Sequence, residues 1–296
     1  MKPKICLGTA QFGQPYGITN TSGQVPEEMV RQLLIEARKA EINWLDTAQA
    51  YGNAEEVLGR QFPIPNHFNL ISKLPAQQRS EFSANDVNTW ELNFFKSCQN
   101  LNVNTLDSYL LHAPSDLKKP GGYFLEDWLL NLRKRGLVNN LGISIYTAED
   151  LEGVNPALLD LVQLPLSLYD QRLLQDGTIG RLRTQGTNIH VRSIYLQGLL
   201  LTPAEQWPAW APTNVRIRHK KLEELAEQRN CNLIDLALGF ALSIKEIEAV
   251  VLGVCNVEEL TALTKSWRKG IVWLGDEYKK WSLQDPSILD PRNWPP

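Results

Sequence analysis

The sequence predicts a single-domain (β/α)8 barrel, the TIM-barrel architecture, over residues 1–296. Eight short runs rich in Ile, Val and Leu alternate with longer segments of helical period, and the whole fits the length of one such barrel. The competing open, doubly wound sheet would carry a Gly-x-Gly-x-x-Gly turn after its first strand. Gly8-Thr9-Ala10-Gln11-Phe12-Gly13 does not fit that spacing. No linker or low-complexity tract divides the chain.

In order, the first strand is predicted over 4–9 and the first helix over 26–40, where Pro26-Glu27-Glu28 puts a proline and two acids at the positive end. Strand 43–47 and helix 53–61 follow, then strand 68–74 and helix 83–100, then strand 106–112 and helix 123–136. Next come strand 140–145 with helix 147–153, and strand 159–165 with helix 176–185. The seventh strand, 189–195, leads to a helical stretch over 216–243 broken near Asn230, and the eighth, 248–254, to helix 256–269. Two irregular segments interrupt this rhythm: a loop over 196–215 containing Trp207-Pro208-Ala209-Trp210-Ala211-Pro212, and a tail over 271–296 with Trp273, Trp281 and Trp294. Either they cover or shape a site on the C-terminal face, or the tryptophans simply pack them down.

A composition of 43% hydrophobic and 21% charged residues with net charge −3 is that of an ordinary globular protein, and it argues against nucleic-acid or anionic-membrane partners. Arg133-Lys134-Arg135 and the basic run from Arg216 to Lys221 read as solvated helix ends or faces. The N-terminal apolar stretch is too short for a signal peptide, and no window suits a membrane span. Cys6, Cys98, Cys231 and Cys255 lie far apart with no histidine nearby, neither a disulfide framework nor a metal site. A cytoplasmic protein without metal is expected, its oligomeric state unreadable.

Four polar residues stand where apolar strands run out. Asp46 ends the second, with Tyr51 five residues on; Lys73 closes the third; His112 closes the fourth. Singly, each has a plainer reading: a structural ion pair, a core ring, a hydrogen-bonded barrel histidine. Together, at the C-terminal ends of adjacent parallel strands, they form a proton-handling site.

Along essentially its whole length the chain resembles the aldo-keto reductases. The resemblance rests on Gly8-Thr9-Ala10, on Asp46-Thr47-Ala48 through Tyr51-Gly52, on Ser72-Lys73, on Leu111-His112, on Gly142-Ile143-Ser144 and on Val162-Gln163. More narrowly, Leu7–Ile18 and Arg192–Leu200 are similar to a bacterial branch often found with cell-surface sugar biosynthesis.

The resemblance implies reduction of an aldehyde or ketone by NADP(H) or NAD(H), with a sugar or sugar derivative among the candidate substrates. Tyr51 would be the acid, Lys73 and Asp46 the pair that lowers its pKa towards neutrality, and His112 a donor to the carbonyl oxygen. A nicotinamide must supply the hydride, since no side chain can. By family position Ser144 and Gln163 would hold its carboxamide. Thr9 would also contact the cofactor, Ser193 through Gln197 and Gly198 would run beside the pyrophosphate, and Gly253, Asn256 and Glu259 would meet the adenosine end.

Three departures from the family pattern matter. Ile145 stands where many members have Asn, and Arg192 where many stack an aromatic ring on the nicotinamide, although a guanidinium can also lie flat on a ring. Where basic residues commonly clasp a 2′-phosphate, this chain has Gly253, Cys255 and Glu259, which leaves the cofactor preference open unless Arg216 or Arg218 reaches in. Two other functions compete. One is a cofactor-binding regulatory or scaffold protein with little turnover, which would not need the Tyr51–Lys73 pairing. The other is a lyase or isomerase using Lys73 as a Schiff-base amine, disfavoured by the neighbouring aspartate.

Overall fold

A computed structural model describes residues 2–61, 67–270 and 273–295. Eight parallel strands close into a barrel in chain order: β1 Lys4–Gly8, β2 Trp44–Asp46, β3 Asn69–Leu74, β4 Leu106–Leu111, β5 Val138–Ser144, β6 Leu161–Pro165, β7 Asn188–Arg192 and β8 Ala249–Gly253. Closure is made by β8 on β1, in register from Lys4 opposite Ala249 to Gly8 opposite Gly253.

The outer ring contains α1 Glu27–Lys39, α2 Ala54–Arg60, α3 Ala84–Leu101, α4 Gly122–Lys134, α5 Thr178–Thr184, α6 Thr213–Gln228, α7 Leu233–Ser243 and α8 Val257–Lys269. In α1 the buried positions Val30, Leu33, Leu34 and Ala37 form one stripe against the barrel, while Glu27 and Glu28 sit at its positive end and Arg38 and Lys39 at its negative end. The stretch expected over 216–243 is two helices: Asn230 takes a left-handed φ of 48° and Asn232 caps α7 by accepting from the Asp235 N–H. Between β5 and β6 the expected helix over 147–153 is only a 3₁₀ turn, Ala148–Leu151, followed by another at Pro156–Leu158. Gly153, with φ 74°, and Asn155-Pro156 turn the chain before a second helical turn can form.

Side chains alternate across each strand. Residues of one parity (Ile5, Leu7, Leu45, Leu70, Leu74, Tyr109 and Val191 among them) join the core between barrel and helices. Those of the other parity, Cys6, Ile71, Leu110, Leu161 and Ala249, make a small core inside the barrel with Trp44 and Val251. Among the described residues no helix is long and apolar enough to cross a membrane, and no cluster of His, Cys, Asp or Glu is suited to hold a metal ion.

The two irregular segments meet. Trp210 of the loop stacks on Trp294 of the tail at 5.2 Å, while Trp207 packs on His219 at 4.6 Å and donates to the Thr202 carbonyl. Of the tail, residues 271, 272 and 296 lie outside the described residues.

Candidate active site

The inward parity, followed to the C-terminal rim, runs through Gly8, Asp46, Lys73, His112, Ser144, Gln163, Arg192 and Gly253, one from each strand or the residue after it. Period-two alternation thus collects half of the site residues singled out in the sequence into one layer, although they come from seven different strands.

At its centre Lys73, wholly buried, donates to Asp46 Oδ1 at 2.8 Å and to the Thr47 carbonyl at 2.8 Å. The Gln163 amide donates to the same carboxylate oxygen at 2.7 Å, so Asp46 answers two donors. The Lys73 ammonium lies 5.1 Å from the centroid of the Tyr51 ring, and that ring meets His112 edge-on at 6.0 Å.

Burial, then the nearby Asp46, push the Tyr51 phenol well above its ordinary pKa, with Arg192 pulling the other way. Lys73 meanwhile donates to Asp46, and Arg192 is the cation that most opposes the rise. Tyr51 is therefore a protonated phenol across the neutral range. His112 is held down to about 4 by burial, then by Lys73 and Arg192, so at neutral pH it is a neutral imidazole.

Tyr51 is placed by backbone. A Cβ on Gly13 would lie 1.8 Å from the Tyr51 carbonyl oxygen, and one on Gly52, with φ 55°, would lie 2.1 Å from the Gly13 oxygen. Only two glycines let the turn after β1 touch the Tyr51 loop this closely. Behind that loop the buried Glu55 of α2 accepts from Ser72 Oγ at 2.5 Å and Ser97 Oγ at 2.9 Å, tying the helix after Tyr51 to the strand that carries Lys73.

A cleft of about 660 Å³ runs from Tyr51 and His112 past Arg192, Gln197 and Gly198 to Gly253 and Glu259. Of the expected site residues, Thr9, Asp46, Tyr51, His112, Arg192, Ser193, Gln197, Gly198, Gly253 and Glu259 border it, whereas Lys73, Ser144, Gln163 and Asn256 do not. Tyr16, the turn from Thr19 to Ser22, and Tyr146 also line it and went unread in the sequence. Their only signal is position, in the turns after β1 and β5.

The cleft suits a dinucleotide in several respects. Ser144 Oγ is buried without a partner near its inner end. Strand pairing ends at Arg192, short of the expected 195, because Ser193 turns left-handed at φ 62°, and Leu196, Gln197 and Gly198 follow at 47°, 54° and 98°. At the non-glycine positions such strain is of order 1–3 kcal/mol each and is the kind found where a loop is shaped for a ligand. At the outer end the start of α8 is already occupied. Glu259 accepts from the Cys255 N–H at 2.7 Å and from Asn256 Nδ2 at 3.2 Å, while Asn256 Oδ1 accepts from the Glu259 N–H. Among the described residues the only Lys or Arg bordering the cleft is Arg192, at the other end. Arg216 is engaged with the Ala209 and Ala211 carbonyls and Arg218 with that of Ser282.

An acid-bearing phenol, a neutral imidazole, a buried Lys–Asp pair and a long cleft on the rim of a (β/α)8 barrel define an oxidoreductase that works on carbonyls with a dinucleotide. The model of the Aldo/keto reductase family matches residues 4–272, and the chain belongs to that family of NAD(P)H-dependent enzymes. It is 24% identical over 285 residues to D-arabinose 1-dehydrogenase of Saccharomyces cerevisiae, covering 86% of this chain and 80% of that one. An aldo-keto reductase of Mycolicibacterium vanbaalenii is 26% identical over 141 residues, 45% of this chain and 46% of the relative. Among solved structures, an aldo-keto reductase from Bacillus halodurans in its holo form superposes with TM-score 0.72 at 18% identity, over 98% of this chain and 95% of that one. A putative aldo-keto reductase from Pseudomonas aeruginosa gives 0.66 at 19%, over 91% of each chain. At these identities the two structures bear on the fold.

Proposed function

We propose that this enzyme reduces the carbonyl of a sugar or sugar derivative to an alcohol, with Tyr51 as the proton donor. The observation that carries the reading is the convergence of Tyr51 and His112 at the inner end of one cleft, with the Lys73–Asp46 pair directly behind the phenol. The yeast relative that acts on D-arabinose by its name supports the sugar class.

When bound, the reduced nicotinamide supplies a hydride to the carbonyl carbon. The residues of the chain do the rest. His112, neutral at working pH, donates a hydrogen bond to the carbonyl oxygen and stabilises the negative charge that grows there. Tyr51 gives its proton to that oxygen as the alkoxide forms. Lys73 has donated two of its three N–H bonds, to Asp46 and Thr47, and keeps one for the phenol side. Asp46 supplies its counter-charge. Ser144 and the Oε1 of Gln163, whose amide nitrogen is committed to Asp46, would hold the carboxamide; the left-handed turn from Ser193 to Gly198 would border the pyrophosphate, and Gly253 to Glu259 the adenosine.

The preference between cofactors follows from that outer end. With the Glu259 carboxylate at the start of α8 and, among the described residues, no Lys or Arg bordering that end of the cleft, the enzyme discriminates weakly in favour of NADPH or prefers NADH.

The deciding variant is Tyr51→Phe, which removes one hydroxyl. Cofactor binding, read by quenching of tryptophan fluorescence, should persist, while turnover of pentoses and small aldehydes falls about 10²-fold or more. Near wild-type turnover in this variant removes Tyr51 from the role.

A further inference from the structure

One charge at the reacting end of the cleft goes unanswered by the protein. Arg192, half-buried at the end of β7, donates from Nη2 to the Ile145 carbonyl at 3.1 Å and from Nη1 to Ser193 Oγ at 3.5 Å. Its guanidinium carbon lies 4.2 Å from the centroid of the Tyr146 ring. Among the described residues no carboxylate comes within 4.0 Å of it. Several other cations around this rim are matched by carboxylates, Lys73 by Asp46, Lys119 by Asp116, Arg172 by Asp170 and Arg292 by Asp290, whereas Lys118 and Arg218 donate to the Glu149 and Ser282 carbonyls and do not border the cleft.

The other charges on the cleft do not compensate it. Asp46 is taken by Lys73 and Gln163, and Glu259 is bound at the far end by the start of α8. The tail brings a second guanidinium, Arg292, to 3.5 Å from the centroid of Tyr146, with Asp290 holding it in a two-pronged pair. Arg292 thus braces the ring without adding net charge, and among the described residues that line the cleft Arg192 is the one cation, without a carboxylate partner.

A guanidinium has five donors, of which two are in use here. A half-buried cation without a counter-charge carries a desolvation cost that an anion relieves, and a planar carboxylate meets two adjacent N–H groups at once. A phosphate dianion would want a second free cation, and Arg292 is committed to Asp290.

We propose that Arg192 anchors a carboxylate on the substrate, so that the preferred substrates are oxo acids: aldehydes or ketones that also bear a carboxylate, acidic sugars among them. The proposal rests on the reductase reading above and narrows its substrate class.

The test compares matched pairs that differ in that group, D-glucuronate against D-glucose and 4-carboxybenzaldehyde against methyl 4-formylbenzoate. The acid should be favoured in kcat/KM by about tenfold or more, the worth of one charge-assisted contact. Arg192→Gln should bring the acid-to-neutral ratio down to about 1, and Arg192→Lys should keep part of it, because charge survives but the two-pronged geometry does not. The ratio is the readout, since Arg192 lies on the cleft wall and either variant will move absolute rates. Binding of 4-(hydroxymethyl)benzoate against 4-(hydroxymethyl)benzamide, by tryptophan fluorescence, gives the same ratio without turnover. Equal wild-type ratios, or a preference that survives Arg192→Gln, overturn the proposal. Carboxylate-selective binding that depends on Arg192, with no carbonyl reduced at all, upholds the anchor and counts against the reductase reading instead.

Discussion

Neutralising Asp46 is the sharpest perturbation the site offers. Its Oδ1 accepts from Lys73 at 2.8 Å and from Gln163 at 2.7 Å, and both charged side chains are almost completely withdrawn from solvent. Asp46→Asn keeps the volume and leaves the ammonium without a counter-charge in the barrel. Removing one partner of such a pair costs about 3–5 kcal/mol. Unfolding entropy of about 2.1 cal/mol/K per residue, over 296 residues, comes to roughly 0.6 kcal/mol/K. The melting temperature should therefore fall by about 5–8 °C. Lys73→Met should cost a similar amount. Asp46→Asn with Lys73→Met should recover much of the loss, because no buried charge is then left alone. Calorimetry of the four proteins gives the coupling directly. Strictly additive losses, or a melting temperature unmoved in Asp46→Asn, would mean that the pair is not held as the distances indicate. The same variant carries a kinetic signature: Asp46 helps to hold the Tyr51 phenol up, so its removal should move the alkaline limb of the reduction profile to lower pH.

Glu259→Arg should tighten NADPH by about tenfold or more while moving NADH by no more than about twofold, because only NADPH has a 2′-phosphate to meet the new cation; paired fluorescence titrations check it, and equal tightening of both cofactors would refute it. His112, His190 and His219 are each held down to about 4, chiefly by burial. Unfolded imidazoles titrate near 6.5, so between roughly pH 6.5 and 4 the unfolded chain takes up protons that the folded chain refuses, and stability should fall as the pH falls through that window. For the fully buried His190 and His219 this amounts to at most about 3 kcal/mol each, and denaturant melts at a series of pH values should show a shallower slope in His190→Gln.

The barrel was legible because its signal is repeated eight times and each strand is marked by the same chemistry. Asp46, Lys73 and His112 were legible for a related reason: each is a polar residue ending an apolar run, where alternation turns it inward. The segment over 147–153 misled because Thr147 and Asp150 make a genuine capping box, which starts a helix as readily when Gly153 is about to end it. Tyr146 was invisible for another reason. Its role comes from Arg192 and Arg292, which are 46 and 146 positions away, and no local pattern encodes a contact of that range. The pull of Arg192 on the Tyr51 phenol was likewise out of reach of the sequence, since the two residues stand 141 positions apart.

The contact between Gly13 and Gly52 bears on how this enzyme can change. Because neither position can accept even a methyl group without pushing on main-chain atoms, the phenol is located by the path of the chain and owes nothing there to side-chain fit. A displacement of about 1 Å at a reacting group can cost on the order of 10²-fold in rate. Gly13 and Gly52 are therefore closed to drift, while the side chains of Tyr146, Arg192 and Arg292 are placed largely by their contacts with one another. Selection for new substrates, in nature or in a mutant library, has its freedom on that second wall and almost none on the first.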